Sequence, residues 1–218
     1  MPTDSNGEPR VPLTRERVLR AAITIADRVG IESLSMRKVG QELGVEAMSL
    51  YNHVANKDDL LDGMVDVLVS EIAVPASGGD WRTAMRASIH SARALMLRHP
   101  WAPRLIASRP RSRLGPAMLR YMDAVISCLK QAGFSYEQVH LAGHVIGSRM
   151  LGYVQKPYAT EDAQSLPSSV DRTRREIPSG EYPHFAEMFA QHHYDDEVEF
   201  AVGLELILDG IERLRKAE

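Results

Sequence analysis

The stretch SMRKVGQELGVEAMSLYNH, residues 35–53, decides how the rest of the chain is read. Ser35 is a side-chain cap for a short helix from Met36 to about Leu43, with Met36, Val39 and Leu43 facing inward. Gly44 and Val45 make a tight turn, and a third short helix is expected from about Glu46 to His53. Gly40 lies where the two helices approach most closely, a place that requires a small residue. Two short helices joined by a glycine turn have helix–turn–helix spacing. In that arrangement the second helix enters the DNA major groove and its first residues meet base edges. The spacing alone is shared with many helical proteins that bind no DNA.

Outward from this stretch, helical periodicity continues in both directions. Thr14 caps a helix whose apolar positions Val18, Ala21, Ala22, Ile25, Ala26 and Val29 recur along one face, and Gly30 ends it. Arg17 stands where a capping box would have an acid. Asn56 caps a fourth helix, with Asp58 and Asp59 in its first turn and Leu60, Leu61, Met64, Val65 and Leu68 as its apolar positions. Residues 1–12 read as a disordered arm, 13–58 as a DNA-binding unit and 59–74 as a connecting helix. The PASGGD run, Pro75–Asp80, is a linker. Residues 80–218 form a larger domain of long helices, at about Trp81–Arg98, Pro103–Ser108, Ser112–Ala132, Tyr136–Gln155, Pro183–His193 and Asp195–Lys216. Lys156–Gly180 reads as a long loop. No useful stretch alternates with period two, so the fold expected is all-α with about nine or ten helices.

The charge distribution fits this division. The 218 residues carry 26 Lys and Arg against 29 Asp and Glu, a formal charge of −3, which taken whole argues against a nucleic-acid partner. By segment the balance is −5 over residues 1–80, +9 over 81–130 and −7 over 131–218. Between Leu13 and Lys57 seven basic residues face five acidic ones, a positive local balance sufficient for a groove-inserting module. The single cysteine, Cys128, excludes an internal disulfide, and no apolar run approaches the ~20 residues of a membrane helix. The polar start has no apolar h-region, so the chain is expected to be cytoplasmic, without signal peptide or membrane contact. No GxGxxG or GxxxxGK phosphate loop and no nucleophile–base pattern supports an enzyme, and no cofactor is implied.

The run Gly44-Val45-Glu46-Ala47-Met48-Ser49-Leu50-Tyr51-Asn52-His53-Val54-Ala55-Asn56-Lys57, continuing to Leu60-Leu61-Asp62, resembles the recognition helix and following helix of the tetracycline repressor (TetR) family. Leu34-Ser35-Met36-Arg37-Lys38-Val39 is similar to that family's second helix. Ser108-Arg109-Pro110, Ala132-Gly133-Phe134-Ser135 and Leu151-Gly152 are similar in order and spacing to segments of the tetracycline repressor's regulatory domain. The resemblance implies a dimeric, ligand-responsive regulator, a repressor by analogy, though an activator would use the same parts. It implies that Arg37 reads a base, a guanine by its two-pronged guanidinium, from a helix capped by Ser35. Ala47, Met48, Ser49 and Asn52 would face the groove, and Tyr51, His53 and Lys57 would hold phosphates. Tyr51 has a second reading as part of the three-helix core, and His53 as a helix-end cap. Ala47, Met48 and Asn52 depart from the tetracycline repressor's residue types, so its operator sequence is not carried over.

For the larger domain, His90, Arg93, Met96, Trp101, Met118, Tyr121, Met122, His144 and Tyr153 are candidate ligand contacts, each with a core-packing alternative. Ser108 and Arg109 form a turn that would move when ligand binds. The places matching the repressor's magnesium-holding His and Glu are Leu105 and Lys156, which argues against a magnesium–tetracycline complex. His140 and His144, four apart, are the basis of a rival reading, a metal-dependent helical enzyme or small-molecule carrier. The +9 block has three readings: a solvated face, partners for the acidic C-terminal segment, or a pocket for an anionic ligand. In the last helix Phe200, Leu204, Ile207, Ile211 and Leu214 recur at heptad-like spacing, with Val198, Val202, Leu206, Leu208, Gly203 and Gly210 off that seam. So much apolar circumference must bury two faces, one against its own domain and one against a second copy; a helix wholly inside a monomer is the alternative. Paired with the 136–155 helix, it would build a homodimer that sets two recognition helices about 34–36 Å apart on a palindrome-like operator.

Overall fold

The first helix begins where the capping chemistry places it. Thr14 Oγ1 accepts the Arg17 backbone N–H at 3.2 Å, and α1 (Arg15–Val29) ends at Gly30, whose φ of +83° favours glycine. In α2 (Met36–Leu43) Ser35 Oγ accepts the Lys38 N–H, and Gly44 closes the helix in the left-handed region at φ +65°. α3 spans only Ala47–Leu50, shorter than the expected Glu46–His53. The N–H groups of Tyr51, Asn52 and His53 bond back three residues, to Met48, Ser49 and Leu50, so the chain tightens into a 3₁₀-type turn. α4 (Lys57–Ser70) is capped by Asn56 Oδ1, which accepts the Asp59 N–H at 2.9 Å.

The computed structural model describes residues 12–154, 180–191 and 195–216 and divides into two units, Met1–Cys128 and Leu129–Glu218. In the first unit, α1, α2, α3 and α4 close a small core. Val18, Ala22, Val39, Leu50, Leu60 and Met64 are wholly buried. Two glycines let these helices approach: a Cβ on Gly40 would lie 2.8 Å from the Val45 carbonyl oxygen, and one on Gly63 would lie 2.7 Å from a Leu19 methyl. Leu19 and Ile23 are buried too, so α1 is covered over more of its circumference than its expected apolar stripe, while Val29 at its end is exposed. Polar ties complete the unit. Arg28 meets Glu42 at 2.6 Å, and Arg15 grips both carboxylate oxygens of Asp59 at 3.0 and 2.6 Å.

The remainder of the first unit is α5 (Trp81–Arg98), α6 (Ala102–Ser108), a 3₁₀ turn at Arg111–Arg113 and α7 (Pro116–Gln131), whose last three residues fall in the second unit. α7 therefore begins later than the expected Ser112, because Pro110 and the 3₁₀ turn intervene before Pro116 can open a helix as its first residue. The second unit holds α8 (Tyr136–Val154), α9 (Pro183–Gln191) and α10 (Asp196–Lys216). Gly133, at φ +92°, turns the chain, and Ser135 and Gln138 form a reciprocal capping box at the start of α8. Gln138 Nε2 also donates to the Leu214 carbonyl, and a Cβ on Gly203 would meet the Arg149 guanidinium, so α8 and α10 run antiparallel. The expected 156–180 loop lies, but for Gly180, outside the described residues, as does residue 155. Among the described residues there is no strand, and no helix is long and apolar enough to cross a membrane.

Two consequences can be measured. Gly40→Ala drives a methyl into the backbone of the α2–α3 turn, which must shift; a loss of about 1–3 kcal/mol in urea unfolding is expected. The Arg15 guanidinium holds the Asp59 carboxyl below the ordinary carboxylate range. A depressed folded-state pKa contributes stability that is present above the unfolded value and lost as pH falls through the folded one. The melting temperature of wild type should therefore exceed that of Asp59→Asn at neutral pH. That gap should close as pH is taken down through and below the usual aspartate range.

Candidate nucleic-acid interface and its tie to α6 and α7

The residues expected to meet DNA divide by what the fold does with them. Ser35 is occupied as the α2 cap, with Arg37 and Lys38 exposed just inside that helix. Ala47 and Ser49 are half-buried at the start of α3, and Met48 between them is 75% exposed. Tyr51 is 44% exposed, so its ring lies outside the three-helix core, whose place there is taken by Leu50 and Val54. Asn52 and Lys57 are exposed, and His53 is half-buried with its backbone carbonyl accepting from Arg15 Nη1 at 2.7 Å. Within the described residues the side chains of Arg37, Tyr51, Asn52 and Lys57 enter no hydrogen bond or ion pair. They are donors and apolar edges held on a rigid frame with nothing of their own unit to satisfy them.

Behind this frame, α4 is gripped by the turn between α6 and α7. Asp58, Asp62 and Asp66 lie four apart along one edge of α4. Arg109 Nη1 lies 3.2 Å from Asp62 and 3.6 Å from Asp58; Arg113 Nη1 lies 3.3 Å from Asp58 and 3.5 Å from Asp62. Asp66 Oδ1 accepts the Ala117 N–H at 2.6 Å, capping α7 from another helix, and Gly115 is glycine because a Cβ there would collide with that carboxylate. A second tie joins α1 to the α5–α6 corner. Asp27 Oδ1 accepts the Trp101 indole N–H at 2.7 Å and lies 2.8 Å from His99 Nδ1. Arg20 and Arg98 both reach Glu71, at 3.5 and 3.4 Å.

These ties change how the arginine-rich block is read. Arg98, Arg109 and Arg113 pair with acids of α4 and its end, a pairing none of the three sequence readings included. Asp27, Asp66 and Arg15 are not among the site residues that the sequence points to, and Asp62 stands there only at the end of the family-like run. The i, i+4 spacing of the three α4 aspartates was visible, but their partners lie 51 residues or more away in the case of Arg113 and Ala117.

The candidate ligand contacts are distributed over buried and exposed surface. Arg93 and Met96 are buried on α5 and His90 half-buried; Trp101 is buried with its N–H on Asp27. Ser108 donates to the Leu105 carbonyl within α6, and Leu105 itself is buried. Tyr121 lies 3.2 Å from Ser88 Oγ, and burial pushes its phenol pKa up. Met118 is half-buried and Met122 exposed, while the Tyr153 side chain and Lys156 lie outside the described residues. His140 and His144 sit exposed on α8 with ring centroids 5.5 Å apart, and no group of three or more metal-ligating side chains occurs among the described residues. In α10 the buried positions are Phe200, Leu204, Leu208 and Ile211, which corrects the expected seam: Leu208 packs inward, Ile207 is half-buried and Leu214 is exposed. A spacing of 4, 4 and 3 keeps these four on the side that meets α8.

Comparison with known proteins agrees with the helix–turn–helix geometry. Residues 18–64 match the family described as "Bacterial regulatory proteins, tetR family", and residues 74–215 match "Tetracyclin repressor-like, C-terminal domain". The HTH-type transcriptional repressor DrrR1 of Streptomyces coeruleorubidus is 35% identical over 217 residues, covering 94% of this chain and 80% of that protein. The class C tetracycline repressor of Escherichia coli is 28% identical over 212 residues, covering 93% and 92% respectively. Among solved structures, the Streptomyces coelicolor TetR family protein ActR in complex with actinorhodin superposes with a TM-score of 0.81 at 26% identity, covering 95% of this chain and all of that one (100%). The metal-dependent enzyme or carrier reading finds no support among these relatives. Matched over both its DNA-binding and regulatory segments, this chain belongs to the tetracycline repressor family of DNA-binding transcriptional regulators.

Proposed function

We propose that the chain is a dimeric repressor that a small molecule releases from a palindrome-like operator. The observation that carries the ligand response is the grip of Arg109, Arg113 and the α7 N-terminus on the aspartate edge of α4. A shift of the α6–α7 turn is delivered to α4 through ion pairs and a helix cap, and the N-cap of α4, Asn56, stands three residues after His53. The ligand acts by favouring the position of α4 in which two recognition helices no longer match the half-site spacing. Reciprocity then requires operator DNA to weaken ligand affinity by the same factor. The repressor names of DrrR1 and of the tetracycline repressors favour this sense of regulation. Buried Leu105 offers no metal ligand, so the effector is not read as a magnesium–tetracycline complex.

Arg37 reads a base edge from the first turn of α2. Ala47, Met48, Ser49 and Asn52 face the groove, and Tyr51, His53 and Lys57 hold phosphates with the N-terminal N–H groups of α4. Dimerisation is assigned to α8 and α10, whose exposed faces carry Leu141 and Val145 on one and Val198, Val202 and Leu206 on the other. Five aliphatic side chains left uncovered on adjacent antiparallel helices suit a four-helix bundle about a two-fold axis.

The test is selection of operator duplexes from random sequence, followed by a metabolite library screened for release of the bound duplex. Absence of salt-sensitive binding to any selected duplex would falsify the DNA reading. With the operator in hand, Arg37→Ala should weaken binding by about 1–3 kcal/mol and relax one base position, whereas Lys57→Ala should weaken all duplexes alike and lower the salt slope by about one. Leu206→Glu should shift the protein to the mass of a single chain in light scattering and lose operator affinity. A dimer of unchanged mass would move the interface elsewhere.

A further inference from the structure

We infer that Arg15 and Asp59 are positioning residues for operator binding, a clamp that holds the 51–57 segment against the start of α1. The inference rests on the reading that this segment meets DNA. The two guanidinium prongs of Arg15 tie three parts of the chain together. Nη1 donates to the His53 carbonyl at 2.7 Å and to Asp59 Oδ2 at 3.0 Å, while Nη2 donates to Asp59 Oδ1 at 2.6 Å. The same Asp59 Oδ2 accepts the Ala55 N–H at 2.8 Å, and the Asp59 N–H is taken by Asn56. The start of α1, the exit of the recognition turn and the first turn of α4 therefore converge on one ion pair, whose bonds to the His53 carbonyl and the Ala55 N–H are charge-assisted.

The segment needs such a fixture. Four residues of α-helix cannot hold their own shape, since a single turn fixes several dihedrals for one hydrogen bond. After Leu50 the backbone continues as 3₁₀-type turns and reaches the core again only at Val54. Tyr51, Asn52 and His53 thus lie on a short arc anchored on its apolar side by Leu50 and Val54. Arg15 anchors the polar side through the one carbonyl, that of His53, at the end of the arc. A side chain in the first helical residue of the domain thereby sets where groups 36–42 positions later stand.

Asp59→Asn provides a discriminating test because simple electrostatics predicts the opposite sign. Removing a negative charge close to phosphates should tighten DNA binding if the clamp has no positioning role, and it should release Arg15 to bind phosphate if that is its true partner. The clamp instead predicts that Asp59→Asn loses about tenfold or more in affinity for the selected operator, with binding to an unrelated duplex not weakened, and that Arg15→Gln loses a similar factor. The double variant should bind no worse than the weaker single one, since both remove the same fixture. Binding is measured below the melting temperature of each variant, so a role confined to stability would leave operator affinity unchanged and overturn the inference. Tighter binding by Asp59→Asn, or additive losses in the double variant, would overturn it as well. Should Arg15→Gln not fold, Arg15→Lys keeps the charge but cannot serve His53 and both Asp59 oxygens together; it should show the same selective loss. Wild type that binds no selected duplex overturns the DNA reading and the clamp with it, whereas normal wild-type binding with unaffected variants overturns the clamp alone.

Discussion

Helix α4 is the element on which the other parts hang, and its four aspartates are the reason. Leu60, Met64 and Leu68 point into the core shared with α1 and are essentially inaccessible to water. Asp58, Asp62 and Asp66 form an acidic edge that takes Arg109, Arg113 and the start of α7. Asp59, beside that edge, takes Arg15 and the N–H of Ala55. One 14-residue helix is thereby a wall of the DNA-binding head, the fixture of its recognition turn and the handle by which the sensor helices hold it. An apolar contact alone would let α4 slide along its neighbours. Ion pairs and a cross-helix cap have direction as well as strength, so they specify a position along the helix.

This arrangement also explains the charge pattern. The acids of the first 80 residues look like an obstacle to DNA binding, yet Asp27, Asp58, Asp59, Asp62, Asp66 and Glu71 are turned to partners inside the same unit. The +9 block supplies arginine partners in Arg98, Arg109 and Arg113, and His99, Trp101 and the Ala117 N–H besides. What remains exposed near the helix–turn–helix includes Arg37, Lys38 and Lys57, so the face proposed for the operator is locally basic although the chain is not. A small surplus of this kind gives modest, salt-sensitive attraction to any duplex and leaves discrimination to groove contacts.

The head was largely legible from the chain. Thr14, Ser35 and Asn56 each cap the helix they precede, Gly30 and Gly44 end the helices they follow, and Gly40 marks the close approach of α2 and α3. These are local effects of a hydroxyl, an amide or a missing Cβ, and local effects are written in local sequence. Legibility fell at the recognition helix, where propensity allowed helix to His53 but the backbone tightens after Leu50 so that Val54 can return to the core. It fell again in α10, where four inward positions could not be told from four outward ones until α8 was in place.

Residues alone determined the all-α class, the helix–turn–helix spacing and its caps and glycine turns, because each depends on neighbours within about a turn of helix. The tertiary structure decided which charges meet. That Arg15 would seek Asp59, Asp62 would hold Arg109, Asp66 would cap α7 and Asp27 would take Trp101 depends on separations of 44 to 74 residues. Charged side chains carry no sequence mark of their partner. An aspartate on a helix edge reads the same whether it faces water or a guanidinium, and only the packing of one helix on another makes the choice.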